Sequence, residues 1–368
     1  MNIPIFNTFV NQGAFNKVSE VLSSTYLSEG KLVKQFEEQL SQQLGIIHPV
    51  SVNSGTSALH LALVLAGIKE GDEIILPAQT FIASGLTILQ QKAIPVFADI
   101  DYDTGNISTA AILSKITSRT KAIMPVHWGG YPCDMDEMGA IAKQYNLEVI
   151  EDAAHALGAT YKQRAIGSIS DYTCFSFQAI KHLTTGDGGA VACKTEIDEE
   201  QAHIKRWFGI DRKNAATSIL GERQYNVSEV GFKYHLNDFA AALGLANLEG
   251  FNERLKKRLE LVAIYNRELA KVPGIKLFKY KADRQSAYWL YGFHVEKRDD
   301  FIRALKEKGI TASVIHQRID RNKVFGGIRK DLPGQELFDA SQIHIPIHDG
   351  MNQEKIEHVI KVIRNGWG

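Results

Sequence analysis

Cysteine is scarce, with only Cys133, Cys174 and Cys193 in 368 residues. None stands in a CxxC pair or at a zinc-like spacing from histidine, which argues against a disulfide framework or a zinc module and fits reduced thiols in a cytosolic protein. Net charge is missing too. Lys+Arg and Asp+Glu number 42 each, so no overall field draws the chain to nucleic acid or to an anionic membrane. No apolar run approaches the roughly 20 residues that span a bilayer. The opening MNIPIFNTFVNQGAF lacks the charged-then-apolar order of a signal peptide. The expectation is a soluble cytoplasmic protein with no nucleic-acid or membrane partner. Low-complexity segments, internal repeats and a GxxxxGK[ST] phosphate loop are likewise absent. What is present is a hydrophobic content of 44% with 23% charged residues, ordinary for a globular chain and long enough for two domains.

Between residues 14 and 44, apolar positions spaced by three and four predict two amphipathic helices, broken at Ser28-Glu29-Gly30. We read that break as a connection rather than as a lining of a site. Short apolar strands follow at 50–52, 73–77, 93–99, 122–126 and 147–150, each separated from the next by a helical or polar stretch. This alternation predicts an α/β fold with a mainly parallel sheet covered on both faces, whose ligands gather at the carboxyl ends of the strands. Residues 172–177 and 190–193 add two more strands. After a polar stretch at 210–229, a long helix is expected to run to about residue 272, with the domain boundary inside it near Gly250. The large domain would then be 1–249, including the N-terminal helical segment. A smaller α+β domain, 250–368, would hold strands near 275–278, 288–295 and 313–315 and helices at 300–308 and 352–365.

The stretch 172–191, YTCFSFQAIKHLTTGDGGAV, puts Lys181 beyond the end of a strand and inside a glycine-bearing turn that lets backbone approach a ligand closely. A lysine held there can form a Schiff base. Most loop lysines are solvated surface charges, so the rest of the chain must decide. The run NSGTSALHLAL opens a helix on Gly55, Thr56 and Ser57, where free backbone N–H groups and the helix dipole suit a phosphate. Plain capping by Thr56 or Ser57 would leave the same trace. Asp152 ends an apolar strand and is costly to bury without a partner. It either caps the next segment, joins His155 at a metal, or meets a protonated ring nitrogen; no further carboxylate or histidine supports the metal. The ring-nitrogen bond would contribute about 2 kcal/mol. With Phe81 as a flat surface, the four features match what pyridoxal 5'-phosphate (PLP) requires: a phosphate cradle, a ring contact, an acid at the pyridine nitrogen and an amine for the aldehyde.

NSGTSALHLAL, LPAQTFIASG, VIEDAAHALGA, CFSFQAIKHLTTGDGG and GFKYHLNDFAAALG, in this order, resemble the sugar aminotransferases of the DegT/DnrJ/StrS type. The likeness begins at TYLSEG, near Tyr26, and continues to the end of the chain. It implies fold type I of the PLP enzymes, the aspartate-aminotransferase fold. By this resemblance Lys181 is the Schiff-base lysine and proton shuttle, and Asp152 holds the pyridinium proton. Phe81 stacks on the ring, Thr56, Ser57 and Ser176 bind the phosphate beside Gly55, and His155 lies next to the ring's phenolic oxygen. The resemblance also implies a homodimer with shared active sites, in which Lys233 or His235, from a loop matching 231–238, reaches the neighbouring subunit's site. Glutamate would be the amino donor and a nucleotide-linked keto sugar, a 4-keto-6-deoxy sugar above all, the acceptor.

Some relatives carry histidine at the lysine position and act as dehydratases; here Lys181 keeps that position and His182 is only its neighbour. His316-Gln317-Arg318 stands where many members have His-Tyr. His316 is therefore a candidate sugar contact, while Arg318 either reads an anionic substituent or pairs with Asp320. His127 and Trp128 either line the site or support it. Trp207, Tyr225 and Tyr234 are core residues or sugar contacts. A PLP-dependent sugar dehydratase and a non-catalytic regulator on the same scaffold are the competing readings.

Overall fold

The structure is a computed structural model and describes residues 2–367. Its centre is a seven-stranded sheet made of β1 (Pro49–Val52), β2 (Glu73–Pro77), β3 (Ile94–Ala98), β4 (Thr120–Ile123), β5 (Glu148–Asp152), β6 (Tyr172–Ser176) and β7 (Gly189–Cys193), in the order β1-β7-β6-β5-β4-β2-β3. Only β7 runs antiparallel to its neighbours. These strands are short apolar runs because side chains point alternately to two buried faces. Ile75, Ile123, Val149, Phe175 and Ala190 enter one core. Ile74, Ala122, Ile150, Cys174 and Val191, each one residue away, enter the other.

The first core is closed by α2 (Lys31–Leu44), which follows α1 (Gly13–Ser24), and by α6 (Met135–Tyr145) and α8 (Asp238–Leu248). The second is closed chiefly by α3 (Gly55–Leu65) and α4 (Ile82–Gln90), with Ala202 of α7 (Glu196–Lys205). Between β3 and β4 lies α5 (Thr109–Lys115). Helix α3 is buried almost all round from Ser57 to Leu63, which is why its sequence reads as a continuous apolar run rather than a stripe.

The expected long helix is broken. Glu249 ends α8, and Gly250, at φ +68°, turns the chain left-handed before α9 (Phe251–Leu269) starts in a new direction. Beyond it, β8 (Ile275–Leu277), β9 (Tyr291–Val295) and β10 (Gln342–Ile345) form an antiparallel sheet packed with α10 (Arg298–Glu307) and α12 (Gln353–Arg364); α11 (Pro333–Ser341) precedes β10. The N-terminal residue Ile3 packs into this core as well. Two further expectations here are corrected. The strand predicted at 288–295 starts at Tyr291, because Tyr288 sits at φ +46° and the segment before it folds over the lysine loop. The strand near 313–315 shrinks to a single bridge between Ser313 and His344. Strand β10 and α11 had no counterpart in the reading of the sequence.

Candidate active site

Four carboxyl ends of the sheet converge on one cavity of about 370 Å³, lined by Gly55 and Thr56 after β1, Thr80 and Phe81 after β2, Asp152 and His155 at β5, and Ser176 and Lys181 at β6. Trp289 and His316 complete its wall from the C-terminal part of the chain. The volume lies in the range of small-molecule sites.

The phosphate-like cradle differs in detail from expectation. Ser54, not Thr56 or Ser57, caps α3, its Oγ accepting the Ser57 amide at 3.0 Å. Ser57 turns its hydroxyl to Asn53 Oδ1 at 2.6 Å and does not line the cavity. Thr56 is exposed and lines it. Gly55 is required by close approach, since a Cβ there would lie 2.9 Å from the Ser176 Cβ. Ser176 is thereby pressed against the start of α3, where the first amides of a helix have no intrahelical partner.

Asp152 is buried, 6% exposed, with both carboxylate oxygens oriented. Oδ2 accepts the Ser84 hydroxyl at 2.7 Å and Oδ1 the Ala154 amide at 3.1 Å. Behind it lies a second carboxylate. Glu151 points to the opposite face, accepting His127 Nε2 at 2.6 Å and Thr173 Oγ1 at 2.9 Å, and Cys133 N–H donates to His127 Nδ1 at 3.0 Å. The imidazole therefore carries its proton on Nε2. His127 is fully buried in this support, and its amide donates to the Asp152 carbonyl at 3.2 Å. Trp128 is buried beside it and meets His155 edge-on at 5.7 Å.

Lys181 is held by its neighbours on either side. The Trp289 indole N–H donates to the Ile180 carbonyl at 2.9 Å, and His182 Nε2 donates to the Ala287 carbonyl at 2.8 Å. Asn247 of α8 donates to the Thr184 carbonyl at 2.8 Å and ties down the far end of the loop. The Lys181 ammonium itself lies 3.6 Å from the Trp289 ring centroid. Burial lowers its pKa to about 7 while the Asp152 charge opposes that shift, so near neutral pH the amine is available in both forms.

His155 stacks on Trp289 at 3.9 Å, burial pushes its pKa well below the ordinary value, and its Nδ1 has no partner among the described residues. A buried, unpartnered ring nitrogen at the cavity edge is the kind of group a ligand oxygen would satisfy. Phe81 is 53% exposed, free to cover a ring, and lies 5.1 Å from His316. The segment bearing His316 is fastened by Gln79, whose Nε2 donates to the His316 carbonyl at 3.1 Å while its Oε1 accepts Gln335 and Gln342.

Other candidates lie elsewhere. Arg318 is buried and spends its fork on Asp320, with Nε to Oδ1 at 2.7 Å and a terminal nitrogen to Oδ2 at 2.6 Å. It is a structural ion pair rather than a contact to the cavity. Lys233 and His235 flank Trp207, the ammonium 4.6 Å from its ring and the imidazole 4.0 Å, outside this chain's own cavity. Burial lowers the His235 pKa to about 4. Tyr234 packs on Phe232 and bonds His60 Nδ1 at 3.1 Å, while Tyr225 is exposed. The Ser28-Glu29-Gly30 break does not line the catalytic cavity; Glu29 pairs with Arg206 and Arg212.

Trp289, Ser84 and Gln79 were absent from the sequence reading. The aromatic run AYWLY was the one available trace of Trp289. If the indole face stabilises the cation, Trp289→Leu is expected to lower the Lys181 pKa by about one unit relative to wild type. Trp289→Phe should retain most of that stabilisation. The pH dependence of Lys181 acylation in cofactor-free protein measures both; equal profiles for all three proteins would remove Trp289 from the site's electrostatics.

The family model described as the DegT/DnrJ/EryC1/StrS aminotransferase family matches residues 10–364. The spore coat polysaccharide biosynthesis protein SpsC of Bacillus subtilis is 37% identical over 99% of this chain and 96% of its own. GDP-perosamine synthase of Caulobacter vibrioides is 34% identical over 94% and 93%. The crystal structure of the sugar aminotransferase CalS13 from Micromonospora echinospora superposes with a TM-score of 0.94 at 34% identity, covering 99% of this chain and 100% of that one. Structural neighbours have been solved in PLP and PMP forms. Among the described residues no helix is long and apolar enough to cross a membrane.

Proposed function

Because the chain belongs to the DegT/DnrJ/EryC1/StrS aminotransferase family, whose members are PLP-dependent transaminases, we propose that it moves an amino group from glutamate to a nucleotide-linked keto sugar, at carbon 4 of a 6-deoxy hexose. The observation that carries this reading is the meeting of Lys181, Asp152 and the α3 terminus in one cavity. The donor set fits PLP: an oriented carboxylate, a partly desolvated amine, a helix start pressed against Ser176, and an unpartnered His155 nitrogen. When bound, PLP supplies an aldehyde for the amine and a ring that accepts electron density.

The chain's own residues do the rest. Lys181 in its neutral form takes the α-proton of the donor, and in its protonated form returns a proton to the sugar's former keto carbon. With a pKa of about 7, neither form is scarce at neutral pH. Asp152, fixed by Ser84 and the Ala154 amide, keeps a proton on the ring nitrogen. The Gly55 and Thr56 amides and the Thr56 and Ser176 hydroxyls hold the phosphate, and Phe81 covers the ring. Lys233 and His235 act on the site of a second copy in a homodimer, which accounts for their position outside this chain's own cavity.

The names of SpsC and GDP-perosamine synthase support a nucleotide sugar destined for a polysaccharide. The test is the absorption spectrum of PLP-loaded protein on adding L-glutamate. The expected result is complete conversion to the PMP spectrum with one equivalent of 2-oxoglutarate released. A spectrum unchanged by glutamate, together with loss of water from the keto sugar, would replace this reading with the dehydratase.

A further inference from the structure

The cavity holding Lys181 adjoins an open groove of about 510 Å³, and the two share Thr80, Phe81 and His316. Ile82, Val314, Ile315 and Ile319 share the groove's wall with polar Ser313, Gln317 and Asn322, and among the described residues Arg321 is the only one with a permanent charge on it. No Asp or Glu lines it. His316, the other titratable group facing it, has its pKa lowered by burial to about 4 and stays uncharged at neutral pH.

Arg321 differs from Arg318 in what it touches. Arg318 is buried against Asp320, whereas Arg321 is exposed and, among the described residues, bonds only the uncharged Gln317 side chain. Its surroundings reinforce the sign. Residues 318–330, RIDRNKVFGGIRK, carry five cations against one carboxylate, and that carboxylate, Asp320, is already buried with Arg318 and the Arg329 amide. A guanidinium fork facing an acid-free groove suits a phosphate, which it can bind through two parallel bonds.

We propose that this groove is the diphosphate subsite of the substrate, with Arg321 binding the phosphates of the nucleotide-linked sugar while its hexose passes Phe81 and His316 toward Lys181. This rests on the reading of the chain as a nucleotide-sugar aminotransferase and adds the residue that recognises the nucleotide end. Of the two roles the sequence left open for Arg318, three residues away, the structure shows the pairing with Asp320, which leaves Arg321 as the cation facing the groove.

The test is calorimetric titration of the PLP-loaded protein with UDP, GDP and dTDP. Wild type is expected to bind at least one of them, more weakly as salt is raised. Arg321→Gln should weaken that binding roughly 30-fold, and Arg321→Lys by less. Lys323→Ala, an exposed cation that does not line the groove, should change it by no more than about twofold. The proposal is overturned if no nucleoside diphosphate binds wild type, or if Arg321→Gln binds as wild type does. The glutamate conversion described above, run on wild type, keeps the two readings apart. Conversion with an inert Arg321→Gln removes only the subsite; diphosphate binding without conversion removes only the glutamate donor.

Discussion

Replacing Lys181 with alanine is expected to lower turnover by on the order of 10⁴-fold, the scale of losing both an attachment point and a proton shuttle. Borohydride treatment should then no longer fix PLP covalently to the chain, a readout independent of turnover. Turnover within tenfold of wild type would contradict the assignment. Lys181→Met separates chemistry from fold. In the cofactor-free protein the Lys181 pKa is lowered to about 7 from 10.5, so between those values the unfolded chain binds more protons than the folded one. Stability therefore rises with pH across that window, and the penalty for the buried amine is fully present below pH 7. A methionine of similar volume removes the penalty. Cofactor-free Lys181→Met should melt above wild type at pH 7 and below, with the advantage fading toward pH 10.5. The same melting point at all pH values would mean that the amine is better solvated than its position implies.

The lysine loop owes its orientation to partners far away in the chain, and this limits what could be read beforehand. The sheet was legible because each strand is short, apolar and ended by a small or polar residue where the site lies; β5 and β6 end on Asp152 and Ser176. The two-faced burial of β5 explains why EVIED reads as a strand despite its acids: Glu151 is satisfied by His127 and Thr173, and Asp152 opens onto the cavity. Strand β10, QIHI, was not legible for the converse reason. Its buried Gln342 and His344 are polar, and their partners, Gln79 and Ser313, lie 263 and 31 residues away. The break at Gly250 was obscured because apolar residues continue through it, although α8 is buried almost all round whereas α9 buries one face. The role of Ser84 depends on a contact across 68 residues and leaves no local mark. Arg318 was legible only as a choice between an anionic substituent and Asp320, and its burial against that partner two residues on, which the sequence does not reveal, decides for the ion pair.

The placement of the site follows from the same topology. Parallel strands deliver their carboxyl ends to one edge, and the antiparallel β7 lets the chain leave β6, make the lysine loop and return without a helix between. Its closing bonds are local, Phe177 N–H to the Gly188 carbonyl at 2.8 Å and Thr185 N–H to the Phe177 carbonyl at 3.0 Å. The turn thus forms from its own residues, while Trp289, Ala287 and Asn247 fix its orientation from outside. A hairpin set in this way can hold one amine in a defined place without burying a charged loop in the core.

Asp152→Asn is expected to cut kcat by about 10²-fold to 10⁴-fold while leaving PLP bound, because it removes a charge and keeps the shape. With its carbonyl oxygen at the Oδ1 position asparagine still accepts the Ala154 amide, and its NH2 group at the Oδ2 position can donate to the Ser84 hydroxyl, so the two anchors at 3.1 and 2.7 Å need not be lost. It cannot hold a proton on the ring nitrogen as a carboxylate does, since it offers a neutral dipole in place of an anion. The loss should therefore appear in the rate of the glutamate conversion rather than in its affinity. Ser84→Ala tests the support separately. Removing one hydrogen bond to a charged group costs about 2 kcal/mol at most where the oxygen is left unsatisfied, so a fall of about tenfold to thirtyfold is expected, smaller than for Asp152→Asn. If both variants lose activity equally, Ser84 contributes more than orientation. If Asp152→Asn keeps the wild-type rate, the carboxylate at the end of β5 is not the group that faces the ring nitrogen, and the adjacent Glu151, committed to His127 and Thr173 on the other face, cannot replace it without breaking both bonds.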